Sequence, residues 1–249
     1  MRFFIQFSYF GKAYHGWQYQ PNAITVQEVL ENGMSKLLNS PVSLMGAGRT
    51  DTGVHAKEMY AHFDIDILEN ISDYIFRLNS FLPNDIAVDR IFEVEDDAHA
   101  RFHATARTYE YKIDKKKDPF STDLAHFVKK DLDVVQMNNA AALLLGKKDF
   151  ECFSKSNTDV YTNICDLREA KWEQKNNKLV FTITADRFLR NMVRAIVGTL
   201  INVGLGKYPA DYVNTILKSK DRTKAGVSVP AKGLYLTSIV YPNTILKNG

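Results

Sequence analysis

A chain of 249 residues, 45% hydrophobic and 24% charged, carries enough apolar content for one large domain or two small ones, which excludes a disordered polymer. No apolar run reaches the ~18 residues of a membrane span, and the opening MRFFIQFSYF has neither the core length nor the cleavage site of a signal peptide, so the reading is a soluble, cytoplasmic protein. The net charge of +3 is too small to announce a nucleic-acid partner by itself, so any such case rests on how the basic residues are arranged.

Strand-like alternation in RFFIQFSYF opens the chain. The segment TVQEVLENGMSKLLN then predicts a helix: Thr25 and Glu28 stand at capping-box spacing, and Val26, Val29, Leu30, Leu37 and Leu38 share one face. Next comes MGAGRTDTGVH, which begins like a dinucleotide-binding fingerprint with Gly46 and Gly48 but has Asp51 where the third glycine belongs. A carboxylate there repels a phosphate, and the following MYAHFDID reads as a strand rather than the required helix, so no nucleotide cofactor is expected. Two readings of Asp51 stay open, a turn residue bonding its own loop or a carboxylate displayed for chemistry.

A shorter helix is expected over ISDYIFRLNSFL, stopping before Pro83. HARFHATARTYEYK supplies Arg101, His103 and Arg107 ahead of a strand with Tyr109, Tyr111 and Ile113 on one face, an arrangement that suits an unstacked base between ring and cation or, more plainly, a sheet surface. Lys115 to Lys117 read as a solvated hairpin tip. DVVQMNNAAALLLG predicts a helix from Asp133 to Gly146. After a strand in KLVFTITAD, the longest helix is expected from about Phe188 to Val203, which places Arg187, Arg190 and Arg194 within roughly 60° of one another. Three arginines without interleaved acids repel, so an anionic partner such as RNA phosphate relieves a standing cost, although a solvated face is the blander account. A final strand, LYLTSIVY, closes the chain.

Strands and helices alternate through both halves without a long linker, which predicts two closely packed α/β halves, residues 1–104 and 105–249, joined near Ala104. His55 and His62 flank the Asp51 loop without a third ligand at metal spacing, so no metal is expected. Cys152 and Cys165 form neither a disulfide framework nor a zinc pattern and read as core thiols, and no G-x-S-x-G turn supports a serine triad.

Six segments, HGWQYQ, GAGRTDTGVHA, LPNDIAV, HARFHATARTYEY, FLRNMVRAIVGTL and AGVSVPAKGLYL, together resemble the tRNA pseudouridine synthases of the TruA type, in that family's order and over nearly the whole chain. The chain departs from the family's usual pattern at Phe10, where an Asp is usual, and near Met59, where a Gln is usual. The resemblance implies a cofactor-free, metal-free isomerase of uridine in the anticodon arm of tRNA. It also implies a homodimer whose α/β halves carry mainly antiparallel sheets (an α+β arrangement) flanking a basic cleft. By position, Asp51 is then the nucleophile, Arg49 acts in base flipping, Tyr109 stacks on the uracil and Arg194 pairs with the catalytic carboxylate. Arg101, Arg107, Arg187 and Arg190 are the remaining candidates for RNA contact. The rival readings are an RNA-binding module in which Asp51 is only a turn residue and a hydrolase using an aspartate nucleophile.

Overall fold

The computed structural model describes residues 1–155 and 161–247. The chain divides into two compact units, Met1–Thr105 with Leu236–Gly249, and Ala106–Tyr235. The sequence reading gave everything after residue 104 to the second half, whereas the segment from Leu236 belongs with the first unit.

The first unit is built from β1 (Arg2–Tyr9), α1 (Val26–Leu38), β2 (Met45–Gly46), β3 (His55–Asp64), α2 (Ile71–Phe81) and β4 (Ile86–Val94). Antiparallel pairing gives the order β4-β1-β3, with β2 on the far part of β3. Phe3, Phe4 and Ile5 are buried in succession, so β1 is covered on both faces rather than alternating cleanly. The Thr25 side chain caps α1 by accepting from the Glu28 N–H, as its spacing predicts. The buried face is Val26, Leu30, Gly33 and Met34, while Leu37 and Leu38 are half-buried near the end of the helix. Close packing of α2 is possible there because the backbone at Gly33 stands directly against Leu78, Phe81 and Leu82. A strand does follow the Asp51 loop, as expected, and it starts at His55 rather than Met59.

The second unit contains β5 (Ala106–Asp114), β6 (His126–Phe127), α3 (Val134–Ala142), β7 (Gly146–Asp149), β8 (Ile164–Lys175), β9 (Lys178–Ala185), α4 (Met192–Gly204) and α5 (Tyr212–Ser219). Its strands run in the order β5-β9-β8-β7, all antiparallel, with β6 parallel to the end of β5. The chain is thus a mixed α/β protein with predominantly antiparallel strands, the expected class. The last strand, β10 (Leu234–Val240), crosses the division, and its part from Leu236 onward adds to β3 in the first unit.

Three expectations in this unit are corrected. Helix α3 ends at Ala142 rather than Gly146, because Gly146 takes φ +91° and begins β7. Lys115–Lys117 do not cap a hairpin, since β6 returns parallel to β5 after a turn at Pro119–Ser121. Helix α4 starts at Met192, because Asn191 adopts the left-handed conformation at φ 67° and breaks the run from Phe188. Arg187 and Arg190 therefore precede the helix and form no stripe with Arg194.

A candidate active site carried in two parts

In the first unit, the segment Gly48–Val54 connects β2 to β3 and carries Arg49 and Asp51, Arg49 exposed and Asp51 partly so. Its shape is held from behind by the segment Gly11–Trp17. The Gly53 N–H donates to the Tyr14 carbonyl at 3.2 Å and the Val54 N–H to the Asp51 carbonyl at 3.1 Å. Thr50 Oγ1 and the Tyr9 hydroxyl lie 2.9 Å apart. Backbone approaches backbone so closely here that a Cβ on Gly16, which has φ +88°, would stand 2.3 Å from the Thr50 carbonyl oxygen. At Gly46 the obstacle is the Trp17 indole, whose Nε1 lies 2.2 Å from where a Cβ would be. Gly46 of the supposed fingerprint thus serves close packing against Trp17, while a Cβ on Gly48 would meet nothing within 4 Å.

The Tyr14 hydroxyl donates to Asp85 Oδ1 at 2.5 Å and the Phe10 N–H to the Asp85 carbonyl at 2.8 Å, so LPNDIAV is tied to the residues just before HGWQYQ that hold the loop. Burial and the neighbouring Asp85 carboxylate both raise the Tyr14 phenol well above its ordinary range. His55 accepts the Gly11 N–H at Nδ1 (2.9 Å) and stacks on Phe10 with centroids 4.5 Å apart. His62 accepts the Ala100 N–H at Nδ1 (3.2 Å), so both histidines flanking the loop are engaged by backbone. Of the two departures from the family pattern, Phe10 supplies that stack and Met59 is fully buried. Arg101, also in this unit, is exposed, and its guanidinium lies over the Phe102 ring at 5.6 Å.

In the second unit Tyr109 is half-buried on β5, its ring edge-on to Phe188 at 5.2 Å. Two residues on, Tyr111 is fully buried and donates to the Pro230 carbonyl at 2.9 Å. Arg194 stands in the first turn of α4, where its Nε donates to the Val229 carbonyl at 2.8 Å and its own carbonyl accepts from the Val229 N–H at 3.2 Å. The segment around Val229 is clamped to α4 further along. A Cβ on Gly198 would sit 1.9 Å from the Val227 carbonyl oxygen, and the Gly226 N–H donates to Thr199 Oγ1 at 2.8 Å. Ser228 Oγ receives Asn191 Nδ2 at 2.6 Å and Arg222 Nη2 at 3.0 Å. Sequence reading passed over Asn191, Arg222 and Ser228, which act through contacts no periodicity reveals.

Arg107 donates from Nη1 to the Asp186 carbonyl at 2.7 Å, and Arg187 donates from Nη1 to the Thr162 carbonyl at 3.1 Å. Arg190 is exposed, and its carbonyl accepts from Lys155. Cys152 and Cys165 are buried, and burial pushes both thiols up to about 12, the behaviour of core thiols. Among the described residues no group of three or more His, Cys, Asp and Glu side chains is placed to hold a metal ion, and no helix is long and apolar enough to cross a membrane.

The model of one protein family, described as tRNA pseudouridine synthase, matches residues 140–242. Similarity at the level of whole chains is more particular. The tRNA pseudouridine synthase A of Parabacteroides distasonis is 49% identical over 247 residues, covering 98% of this chain and 97% of its own. That of Porphyromonas gingivalis is 50% identical over 248 residues and covers 98% of each chain, and that of Thermoanaerobacter pseudethanolicus is 43% identical over 239 residues, covering 95% and 98%. The chain belongs to the tRNA pseudouridine synthase A family, whose members are isomerases.

Proposed function

We propose that the protein converts uridine to pseudouridine in the anticodon arm of tRNA, with Asp51 as the nucleophile. The observation that carries this reading is the Asp51 loop itself: the Gly53 N–H is bonded to the Tyr14 carbonyl and Gly16 abuts the Thr50 carbonyl, so the carboxylate sits on a backbone tied to the Gly11–Trp17 segment. In the reaction the N1–C1′ bond breaks, the C5–C1′ bond forms, C5 loses a proton and N1 gains one. A carboxylate adduct at C6 of the ring or at C1′ of the ribose divides this path, and both demand ionised Asp51.

Arg49 is proposed to take the space left by the flipped target nucleotide, which must leave its stack before reaction. Tyr109 offers a π-face to the uracil, Arg194 serves as the cation for the carboxylate, and Arg101, Arg107, Arg187 and Arg190 meet RNA phosphate. The protein works on tRNA without a resident cofactor, as a homodimer in the cytoplasm. The test is release of tritium from tRNA labelled at uridine C5, which pseudouridine formation must expel and neither RNA binding alone nor glycosidic hydrolysis releases. Wild-type protein should release it, and Asp51→Asn should not, while binding tRNA within a few fold. Release by Asp51→Asn at the wild-type rate would remove Asp51 from the chemistry.

A further inference from the structure

The connection from β5 to β6 carries lysines that none of the preceding roles employs. Lys115, Lys116 and Lys117 are exposed at its start, and Lys129 and Lys130 are exposed just past its end. The parallel pairing of Asp114 with Phe127, continued by the Val128 N–H to the Asp114 carbonyl at 3.1 Å, makes both groups leave the sheet side by side. Among the described residues none of these five lysines makes an ion pair, whereas neighbouring Lys178 is bound to Asp114 at 2.5 Å. Of the nearby acids, Asp118 is exposed and caps the turn, its carboxylate accepting the Phe120 N–H at 2.9 Å.

At the crest stands Phe120, 92% exposed on the turn Pro119–Ser121. The turn is anchored on three sides. The Ser121 hydroxyl donates to the buried Asp114 carboxylate, Lys232 Nζ donates to the Thr122 carbonyl at 2.6 Å, and the Tyr235 hydroxyl donates to the Leu124 carbonyl at 2.6 Å. A phenylalanine held out on an anchored backbone, among five cations without counter-ions, offers a ring face and positive charge together. A second copy of the chain fits this surface poorly, because two-fold contact would bring the lysines of both copies together. RNA fits it well, since lysine neutralises phosphate and an aromatic ring stacks on an unpaired base.

We infer that the Lys115–Lys130 connection is a second RNA-holding surface, in which the lysines take backbone phosphates and Phe120 stacks on an unpaired base of the tRNA outside the target site. The inference deepens the tRNA reading above and rests on it. Its test uses the full protein with unmodified tRNA: a triple variant Lys115→Gln, Lys116→Gln, Lys117→Gln, and separately Phe120→Ala, each titrated between about 50 and 200 mM salt. The triple variant should reduce the slope of log affinity against log salt by about two to three, and Phe120→Ala should weaken binding by about tenfold without changing that slope. Single-turnover tritium release at saturating tRNA should match wild type in both, because neither touches the target base. Wild-type affinity and slope in both variants, with wild-type turnover intact, would overturn the inference and leave the function standing. Absence of turnover in wild type would strike the function instead. Loss of a dimer by sedimentation in Phe120→Ala, with RNA affinity preserved, would assign the surface to self-association and overturn the inference too.

Discussion

Single residues in this protein matter by position more than by type. Gly16 illustrates this: its φ of +88° and the 2.3 Å gap to the Thr50 carbonyl leave no room for a methyl group. Gly16→Ala should push the loop bearing Asp51 and depress single-turnover tritium release by an order of magnitude or more, with tRNA affinity held within a few fold. Equal rates in mutant and wild type would show that the loop tolerates displacement. At Tyr109 the expectation divides by chemistry. Phe keeps the ring and should retain most activity if stacking is the whole contribution, whereas Leu should lose the roughly 1–3 kcal/mol that base stacking supplies. If the hydroxyl helps remove the C5 proton, Tyr109→Phe should accumulate RNA-bound intermediate before tritium appears. Full activity in a folded Leu variant would return Tyr109 to the role of a sheet-packing aromatic.

At the scale of elements, helix α4 is fastened to the Gly226–Pro230 segment by contacts too close for any side chain at Gly198. Gly198→Ala should therefore cost stability, about 1–3 kcal/mol from overpacking, and slow the reaction by shifting the Val229 carbonyl that orients Arg194. Thermal melting and single-turnover kinetics on one preparation would show both effects; a melting temperature equal to wild type would contradict the close approach. The same helix shows how far sequence carries. Its apolar period was legible, as were the caps at Thr25 and Asp133, because each depends on residues a few positions apart. Its start was not legible, since nothing in FLRNM announces that Asn191 turns left-handed, and the arginine stripe built on that start dissolved with it. Strand β8 and helix α5 escaped notice for a related reason. Lys171, Glu173 and Lys175 make β8 read as a charged surface segment, and its pairing with β9 decides it as a strand. The Asp51 loop was legible as an anomaly, an acid among glycines, while the clamp by Tyr14 and Gly16 depends on chain segments more than thirty residues apart in sequence.

For the molecule as a whole, acid tolerance should be governed in part by His62. Burial, joined by the positive neighbours His99 and Arg2, lowers its imidazole to about 4, and the neutral ring accepts the Ala100 N–H. The unfolded chain takes up that proton below about 6.5 and the folded chain does not. Stability from this group is thus complete above about 6.5 and declines as pH falls toward 4, by at most roughly 3 kcal/mol. Urea unfolding at pH 7 and pH 5 should show the loss, and His62→Asn, whose amide oxygen accepts without titrating, should reduce it. An equal loss in that variant would locate the acid sensitivity elsewhere. The two thiols supply a second whole-molecule reading: with both held protonated and buried, alkylation should be slow in the native protein and become fast only on unfolding.

The path of the chain also bears on how the protein is made. Because β10 and the residues after it return to the first unit, that unit is begun before the second is synthesised and completed only after it. Until then the edge of β3 that receives β10 is unpaired, and the Glu58 carboxylate that takes the Ile239 N–H at 2.7 Å has no such donor. The nascent chain thus holds an open sheet edge for the whole synthesis of the second unit, while that unit, encoded without interruption from Ala106 to Tyr235, can close on its own. A message truncated after Tyr235 should yield a product whose second unit resists protease and whose first does not.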